Sequence, residues 1–132
     1  MKLSEAILLG SVGSEQGFGV NSVLTNSPTK CVMGAALHAV GINVTVSFKA
    51  YSLLPEAWPW VNQVIDVPII AQPQSGAFLG DATRQPIWNV LWMLNDIARW
   101  TRPQVAAWVA ELEQMYDKQP EVTNQEVECE VK

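Results

Sequence analysis

One pair of residues in the sequence has the types that serve as nucleophile and base in thiol hydrolases: Cys31 and His38, the only histidine of the chain. Nucleophilic catalysis by a thiol needs a base within hydrogen-bonding distance, about 3 Å. We predict a helix through both residues, and seven helical residues rise about 10.5 Å along the axis. The two side chains therefore cannot meet. We expect a buried thiol and a helix-end histidine, no catalytic residue, and a protein that is not an enzyme.

The sequence predicts neither a metal ion nor a cofactor. It contains no H-x-x-E, C-x-x-C or D-x-D arrangement, so a metal site would need carboxylates from distant segments. Residues 10–19 hold four glycines, but they follow a predicted helix rather than a strand and include no lysine. They match neither the phosphate-binding nor the dinucleotide-binding pattern. We interpret them as a flexible connector.

The best candidate for a polar cluster is formed by Asn95, Asp96, Arg99 and Arg102. Helical spacing places Arg99 next to both Asn95 and Asp96, where one predicted helix ends and the next begins. The favoured hypothesis is structural, with these side chains capping the free amides and carbonyls of the helix ends. The alternative is that they form the polar end of a ligand site.

Six tryptophans are many for 132 residues, since each can bury about 150–250 Å². We expect Trp92 and Trp108 in the core. The other four cannot all be buried in so small a domain, and exposed aromatic side chains mark contact surfaces. The candidate interaction surface therefore comprises Trp58, Trp60, Trp88 and Trp100.

Charge and hydropathy argue against nucleic acid and membrane as partners. The net charge is −5, with eight Lys and Arg in all, and residues 119–132 contribute −3 of it. Phosphate binding depends on clustered basic side chains, which the sequence lacks. Its longest apolar stretch, residues 31–42, is far shorter than the roughly 20 residues of a membrane span. With two cysteines and no secretory leader, we expect a cytoplasmic protein.

The elements that would position these residues are mainly helical. We predict a single globular domain over residues 1–118 with four or five helices, followed by a disordered acidic tail over 119–132. Ser4 is the expected N-cap of the first helix. A central helix is expected to start at Ser27-Pro28 and to stop at Gly41, with a neighbouring helix packed closely against its small residues Gly34, Ala35 and Ala36.

Two further patterns lie in the second half of the domain. Residues 43–51 alternate apolar and polar side chains, which predicts a short strand whose partner would be residues 64–70. Residues 87–98 have helical periodicity, and Thr101 with Gln104 forms a capping box for the next helix. These last two helices should form a hairpin.

Residues 94–109 fit the pattern L-N-D-x-x-x-W-T-R-x-x-[IV]-A-x-W-V, and residues 1–7, 16–19 and 31–36 add shorter matches. In these segments the chain resembles an uncharacterised group of short prokaryotic and phage-type proteins. The resemblance spans most of residues 1–112 and implies a shared fold but no activity. Several of those proteins carry a C-P-x-C pair before the helix that contains the L-N-D residues. In this chain the corresponding residues 67–70 keep the proline of that pair but not its cysteines.

Two functions follow as hypotheses. The first is a non-enzymatic interaction module that forms a homodimer through the tryptophan-rich surface. The second is a small-ligand-binding domain with an aromatic pocket and an Asn/Asp/Arg polar end.

Overall fold

The computed structural model describes residues 1–72 and 84–117. Within these residues the fold is mainly α, as predicted, with five α-helices joined by two small sheets and short 3-10 turns. The helices are α1 (Leu3–Gly10), α2 (Val32–Ala39), α3 (Ala50–Ala57), α4 (Ile87–Asp96) and α5 (Arg102–Tyr116). The 3-10 turns are Val20–Val23, Ser47–Lys49, Pro59–Asn62 and Ile69–Ala71. The predicted acidic tail, 119–132, lies outside the described residues.

Helix α2 is the central element, because residues 32–37 are buried on every side. Its close neighbour is α1, which crosses it at Gly10, where a β-carbon would overlap the carbonyl of Ala35. The predicted close approach at Gly34 is also present, but the backbone packed there belongs to Ser22 of a 3-10 turn. The predicted close approach of a neighbouring helix is therefore confirmed at Ala35, whereas at Gly34 the neighbour is a 3-10 turn rather than a helix.

The start of α2 lies later than predicted. Thr29–Lys30 form strand β2, which pairs in parallel with strand β1 (Glu15–Gln16). Because this pairing holds residues 29–30 extended, the helix begins only at Val32. Its N-cap is Cys31, whose sulfur accepts a hydrogen bond from the amide of Gly34 at 3.4 Å. The helix ends before Gly41, as predicted, and Gly41 has a positive φ of 77°.

The strand predicted over residues 43–51 is wrong. Residues 47–49 form a 3-10 turn, and α3 follows at Ala50. Val44 is held locally instead, since its amide donates to the Thr25 hydroxyl at 2.6 Å and its carbonyl accepts from the Thr25 amide at 3.0 Å. The predicted partner segment does contain a strand, β3 (Val64–Asp66), but it pairs antiparallel with β4 (Arg84–Pro86).

The C-terminal hairpin follows the prediction. Helix α4 begins after Pro86, and Arg99 takes a φ of 58° in the turn before α5. The capping box is formed in both directions. The Thr101 hydroxyl accepts from the Gln104 amide at 3.2 Å, and the Gln104 side chain accepts from the Thr101 amide at 2.9 Å.

A buried carboxylate joins α5 to α1. Glu113 is only 5% exposed and accepts from the amide of Ser4 at 2.9 Å and from its hydroxyl at 2.7 Å. The first turn of a helix has free amides and favours negative charge, so Glu113 stabilises the start of α1. Ser4 therefore lies within the first turn, and the N-cap position belongs to Lys2, one correction to the prediction.

Among the described residues, the longest helix has 15 residues and none combines the length and apolar character needed to cross a bilayer.

The crossing of α1 and α2 predicts the effect of adding one methyl group. Gly10→Ala should lower the free energy of unfolding in urea by about 1–3 kcal/mol, because its β-carbon would displace the Ala35 carbonyl. The direction of the change in stability distinguishes a close crossing from an open position, because alanine at an open helical position would raise the free energy of unfolding by up to about 1 kcal/mol. Leu8→Ala, at a 48% exposed position of the same helix, is the control. A stabilised Gly10→Ala protein would contradict the crossing.

Candidate functional site

Asn95 is the most connected of the four predicted cluster residues and is 1% exposed. Its carboxamide oxygen accepts from the Gln16 side chain at 2.8 Å and from the amide of Val32 at 3.2 Å. Its carboxamide nitrogen donates to the carbonyl of Gly17 at 3.0 Å and to the Asp96 carboxylate at 2.7 Å. One side chain of α4 thus caps the first amide of α2 and holds the segment that carries β1.

Arg102 has a comparable role at the start of α5, where it is 7% exposed. Its guanidinium donates to the Ser14 hydroxyl at 3.1 Å and to the carbonyl of Lys30 at 3.2 Å, and a second nitrogen donates to the Ser14 carbonyl. The Gln16 side chain also accepts from the amide of Arg102 at 3.2 Å. The glycine-rich segment is therefore held by side chains of the hairpin, and the prediction of a flexible connector is wrong there.

Asp96 and Arg99 occupy the outer part of the cluster. The Asp96 carboxylate accepts from the amide of Gly19 at 3.1 Å as well as from Asn95. Arg99 is exposed, donates to the backbone carbonyl of Asp96 at 3.0 Å and places its guanidinium 4.2 Å from the centre of the Phe18 ring. This cation–π geometry directs the positive charge toward Phe18. Asn95 and Arg102 thus have the structural role that the sequence predicts for this cluster. Asp96 has such contacts too, but it also lines a cavity.

Asp96 lies at the edge of a partly enclosed cavity of about 220 Å³. The cavity is bounded by the 3-10 turn Val20–Val23, the start of α2, α3 and α4. Its lining is apolar and aromatic except for one carboxylate, one thiol and one phenol. The lining residues are Gly19, Val20, Val23, Cys31, Met33, Tyr51, Trp92 and Asp96.

The cavity thiol is neutral at physiological pH. Burial raises the pKa of Cys31, and the charge of Asp96 adds to the increase, against the smaller opposing effect of hydrogen bonds from Gly34, Ser22 and Met33. His38 lies exposed in the last turn of α2, whereas Cys31 caps its first turn. The predicted separation of Cys31 from His38 is confirmed, and these two side chains do not form a thiol–imidazole pair.

Trp88, which does not line the cavity, packs against one of the aromatic rings that do. The ring of Tyr51 packs on Trp88 with 5.5 Å between ring centres and an interplanar angle of 48°. Burial raises the pKa of the Tyr51 phenol, with added contributions from Asp96 and Cys31. The indole of Trp92 donates to the Asn89 side chain. Trp88, predicted as an interaction residue, thus fixes a ring that lines the cavity.

The tryptophans are distributed differently from the prediction. Trp58 and Trp60 are 5% and 8% exposed, so the expectation that they lie at the surface is wrong. Pro59 starts a 3-10 turn that folds both indoles into the core, and the Trp58 indole donates to the carbonyl of Met1 at 3.0 Å. Trp88 and Trp100 are half-buried, and so are Trp92 and Trp108, which were expected in the core.

Trp100 and Trp108 line an open groove of about 430 Å³ on the outer face of α5. The groove also contacts Gln104, Ala107 and Glu111. It differs from the cavity at Asp96 because it is a broad surface depression formed by one helix and the turn before it.

The sequence analysis does not predict the burial of two charged residues, Lys30 and Glu113. Lys30 is 5% exposed and donates to three backbone carbonyls of the turn that precedes it, those of Leu24, Thr25 and Ser27. Charged residues are expected at the surface unless a partner is visible, and backbone partners leave no pattern in the sequence. For Glu113, its position on the apolar face of α5, four residues after Val109, was a usable signal.

Within residues 1–72 and 84–117, no three His, Cys, Asp or Glu side chains are grouped closely enough to hold a metal ion. Comparison of the chain with protein-family models, curated proteins and solved structures gives no significant match. The resemblance of residues 94–109 to the short prokaryotic and phage-type proteins therefore stays a prediction.

The hydrogen bonds of Asn95 predict a large cost for an apolar side chain of similar size. Asn95→Leu would leave the buried amide of Val32 and the buried carbonyl of Gly17 without this partner, each at about 1–3 kcal/mol, and would remove one hydrogen bond each from the half-buried side chains of Gln16 and Asp96. We expect the free energy of unfolding in urea to fall by at least about 3 kcal/mol. Asn89→Leu, at a half-buried position of the same helix with two hydrogen bonds, should lose less than half as much. Equal losses would show that Asn95 is not the central contact.

Proposed function

We propose that the protein is a small-ligand-binding domain and that its site is the cavity at Asp96. The proposal rests on one observation: the cavity joins two aromatic rings and a single carboxylate, and its walls come from four different elements. A concave, mostly apolar site with a few convergent polar groups is the usual form of a small-molecule site. This corresponds to the second hypothesis drawn from the sequence, with Asp96 as the polar end.

The surroundings of the cavity support a preformed site. Asp96 is oriented by hydrogen bonds from Gly19 and Asn95, and Tyr51 is oriented by Trp88. A site whose side chains are already fixed loses less conformational entropy when a ligand binds. Asn95 and Arg102 contribute indirectly, because they hold the segment that ends at Gly19.

The chemistry of the lining favours binding over covalent catalysis. Burial keeps the Cys31 thiol protonated, and the described histidine lies at the other end of α2. The volume of about 220 Å³ lies below the roughly 300–1,000 Å³ typical of drug-sized sites, so we expect a smaller ligand. We also propose a cytoplasmic location, consistent with a buried cysteine that is not in a disulfide.

Blocking the cavity tests this function. Val20 is 60% exposed at the edge of the cavity, so Val20→Trp should obstruct entry without disturbing the core. Compounds that raise the melting temperature of the unmodified protein in a screen of small metabolites should bind this variant at least tenfold more weakly. Val12→Trp makes the same change at a 77% exposed site outside the cavity and should bind normally. Absence of any binding compound, or equal binding by Val20→Trp, would contradict the proposal.

A homodimer is the second candidate function, and the groove at Trp100 and Trp108 favours it. Of the four tryptophans first assigned to an interaction surface, Trp100 is the one that lines this groove. Half-exposed indoles on a helix and on the turn before it are typical of a contact face, and a second copy of the chain could cover them symmetrically. Such a contact would leave the cavity at Asp96 free, so the two functions are compatible.

Solution mass tests the dimer. If the groove is the contact, sedimentation at micromolar concentrations should give a dimer for the unmodified chain and a monomer for Ala107→Arg, which places a charge in the groove. Gln114→Arg adds the same charge at an exposed position of α5 that does not line the groove and should remain dimeric. A monomeric unmodified chain would exclude this candidate.

A further inference from the structure

The charge of the cavity identifies a class of ligand, provided that the proposed function holds. Among the described residues that line the cavity, Asp96 is the only charged one. Its two carboxylate oxygens can accept about four hydrogen bonds, and they receive two, from Gly19 and Asn95. The carboxylate therefore retains the capacity to accept from a ligand.

The basic side chains nearest in the chain to the cavity walls bind groups other than the Asp96 carboxylate. Arg99 donates to the backbone carbonyl of Asp96 at 3.0 Å and places its guanidinium over Phe18. The guanidinium of Arg102 is bound to Ser14 and to a backbone carbonyl, and the ammonium of Lys30 is bound to three carbonyls. Within residues 1–72 and 84–117, the ion pair present joins Arg84 to Asp66, away from this cavity. In the described part of the chain the Asp96 carboxylate thus forms no ion pair with a basic side chain.

The other polar groups of the cavity do not offset this charge. The pKa values of Cys31 and Tyr51 are both raised, so thiol and phenol stay neutral at physiological pH. The charge of the Asp96 carboxylate contributes to both increases, as a smaller effect than burial. A negative charge on a ligand would be repelled there, and a positive charge would be attracted.

The aromatic lining suits the same ligand. Tyr51 and Trp92 line the cavity together with Asp96. The faces of aromatic rings attract organic cations, and the attraction grows when water is displaced. Val20, Val23 and Met33 supply apolar surface for the remainder of a small molecule.

We propose that this cavity binds a small organic cation, an amine or a quaternary ammonium compound with an apolar body, through the carboxylate of Asp96 and the rings of Tyr51 and Trp92. The volume of about 220 Å³ limits the ligand to a small molecule and excludes a folded peptide segment. The positive group would lie near Asp96, and the apolar body would lie against the valines of the 3-10 turn.

Two pairs of probes of nearly equal shape test the charge requirement with the unmodified full chain. Choline is compared with 3,3-dimethylbutan-1-ol, which replaces the ammonium nitrogen by carbon, and benzylamine is compared with benzyl alcohol. Dissociation constants are measured by NMR titration at low and at physiological salt. In at least one pair the cation should bind at least tenfold more tightly than its neutral counterpart, with a smaller ratio at high salt.

Three variants connect the preference to named side chains. Asp96→Asn should reduce the cation-to-neutral ratio to about one, with folding checked by circular dichroism. Tyr51→Leu should weaken cation binding several-fold, whereas Tyr51→Phe, which keeps the ring, should not. Because the probe pairs are measured on the unmodified chain, the result stands even if Asp96→Asn fails to fold.

The outcomes separate this inference from the proposed function. If neither cation binds, or if the neutral probes bind as tightly as the cations, the inference is wrong. If neutral or anionic metabolites bind and Val20→Trp abolishes their binding, the cavity is a ligand site of another class. If no compound of any charge binds, the proposed function fails as well. Cation binding that persists in both Val20→Trp and Asp96→Asn would place the cation outside this cavity and overturn the inference.

Discussion

The carboxamide of Asn95 joins three parts of the chain: α4, the start of α2 and the segment of residues 14–19. From α4 it binds the first amide of α2, the carbonyl of Gly17 and the side chain of Gln16. Most buried polar groups in proteins are hydrogen-bonded, and Asn95 provides a partner for two donors and two acceptors from three segments at once. The segment of residues 14–19, with few apolar contacts of its own, therefore takes a fixed path across the helical hairpin.

The same hydrogen bonds explain how a helical core and a polar-edged cavity occur together. Asn95 donates to Asp96, and Asp96 accepts from the amide of Gly19, so the carboxylate and the edge of the cavity are fixed by one network. Arg102, Lys30 and Glu113 are buried charges bound mainly to backbone groups and hydroxyls rather than to opposite charges. Removing such a partner would strand a buried charge, so these contacts favour one arrangement of the loops.

The sequence predicted those elements whose determinants are local. The capping box at Thr101, the stop at Gly41 and the hairpin of α4 and α5 depend on neighbouring residues, and all are present. The predictions that failed depend on distant partners. Residues 29–30 pair with 15–16 rather than starting a helix, and Val44 is hydrogen-bonded to Thr25 rather than to another strand.

The sequence predicts only the local part of the candidate site, because the rest of the site comes from distant segments. Asp96 was recognised as polar and close to Arg99, but its cavity is formed by Tyr51 and by a 3-10 turn near Val20, far away in the sequence. The tryptophans were judged by area alone. Burial of Trp58 and Trp60 depends on how Pro59 turns the chain, and the composition does not contain that information.

Binding of a small cation beside Trp92 is tested most directly by the indole N–H signals of the six tryptophans. Each indole gives one resonance in a two-dimensional nitrogen–proton spectrum, and single Trp→Phe variants assign them. Titration with benzylamine should shift the Trp92 signal and the backbone amide of Gly19 in parallel, while the signals of Trp58 and Trp108 remain unchanged. Shifts centred on Trp100 and Trp108, with Trp92 unaffected, would contradict the account.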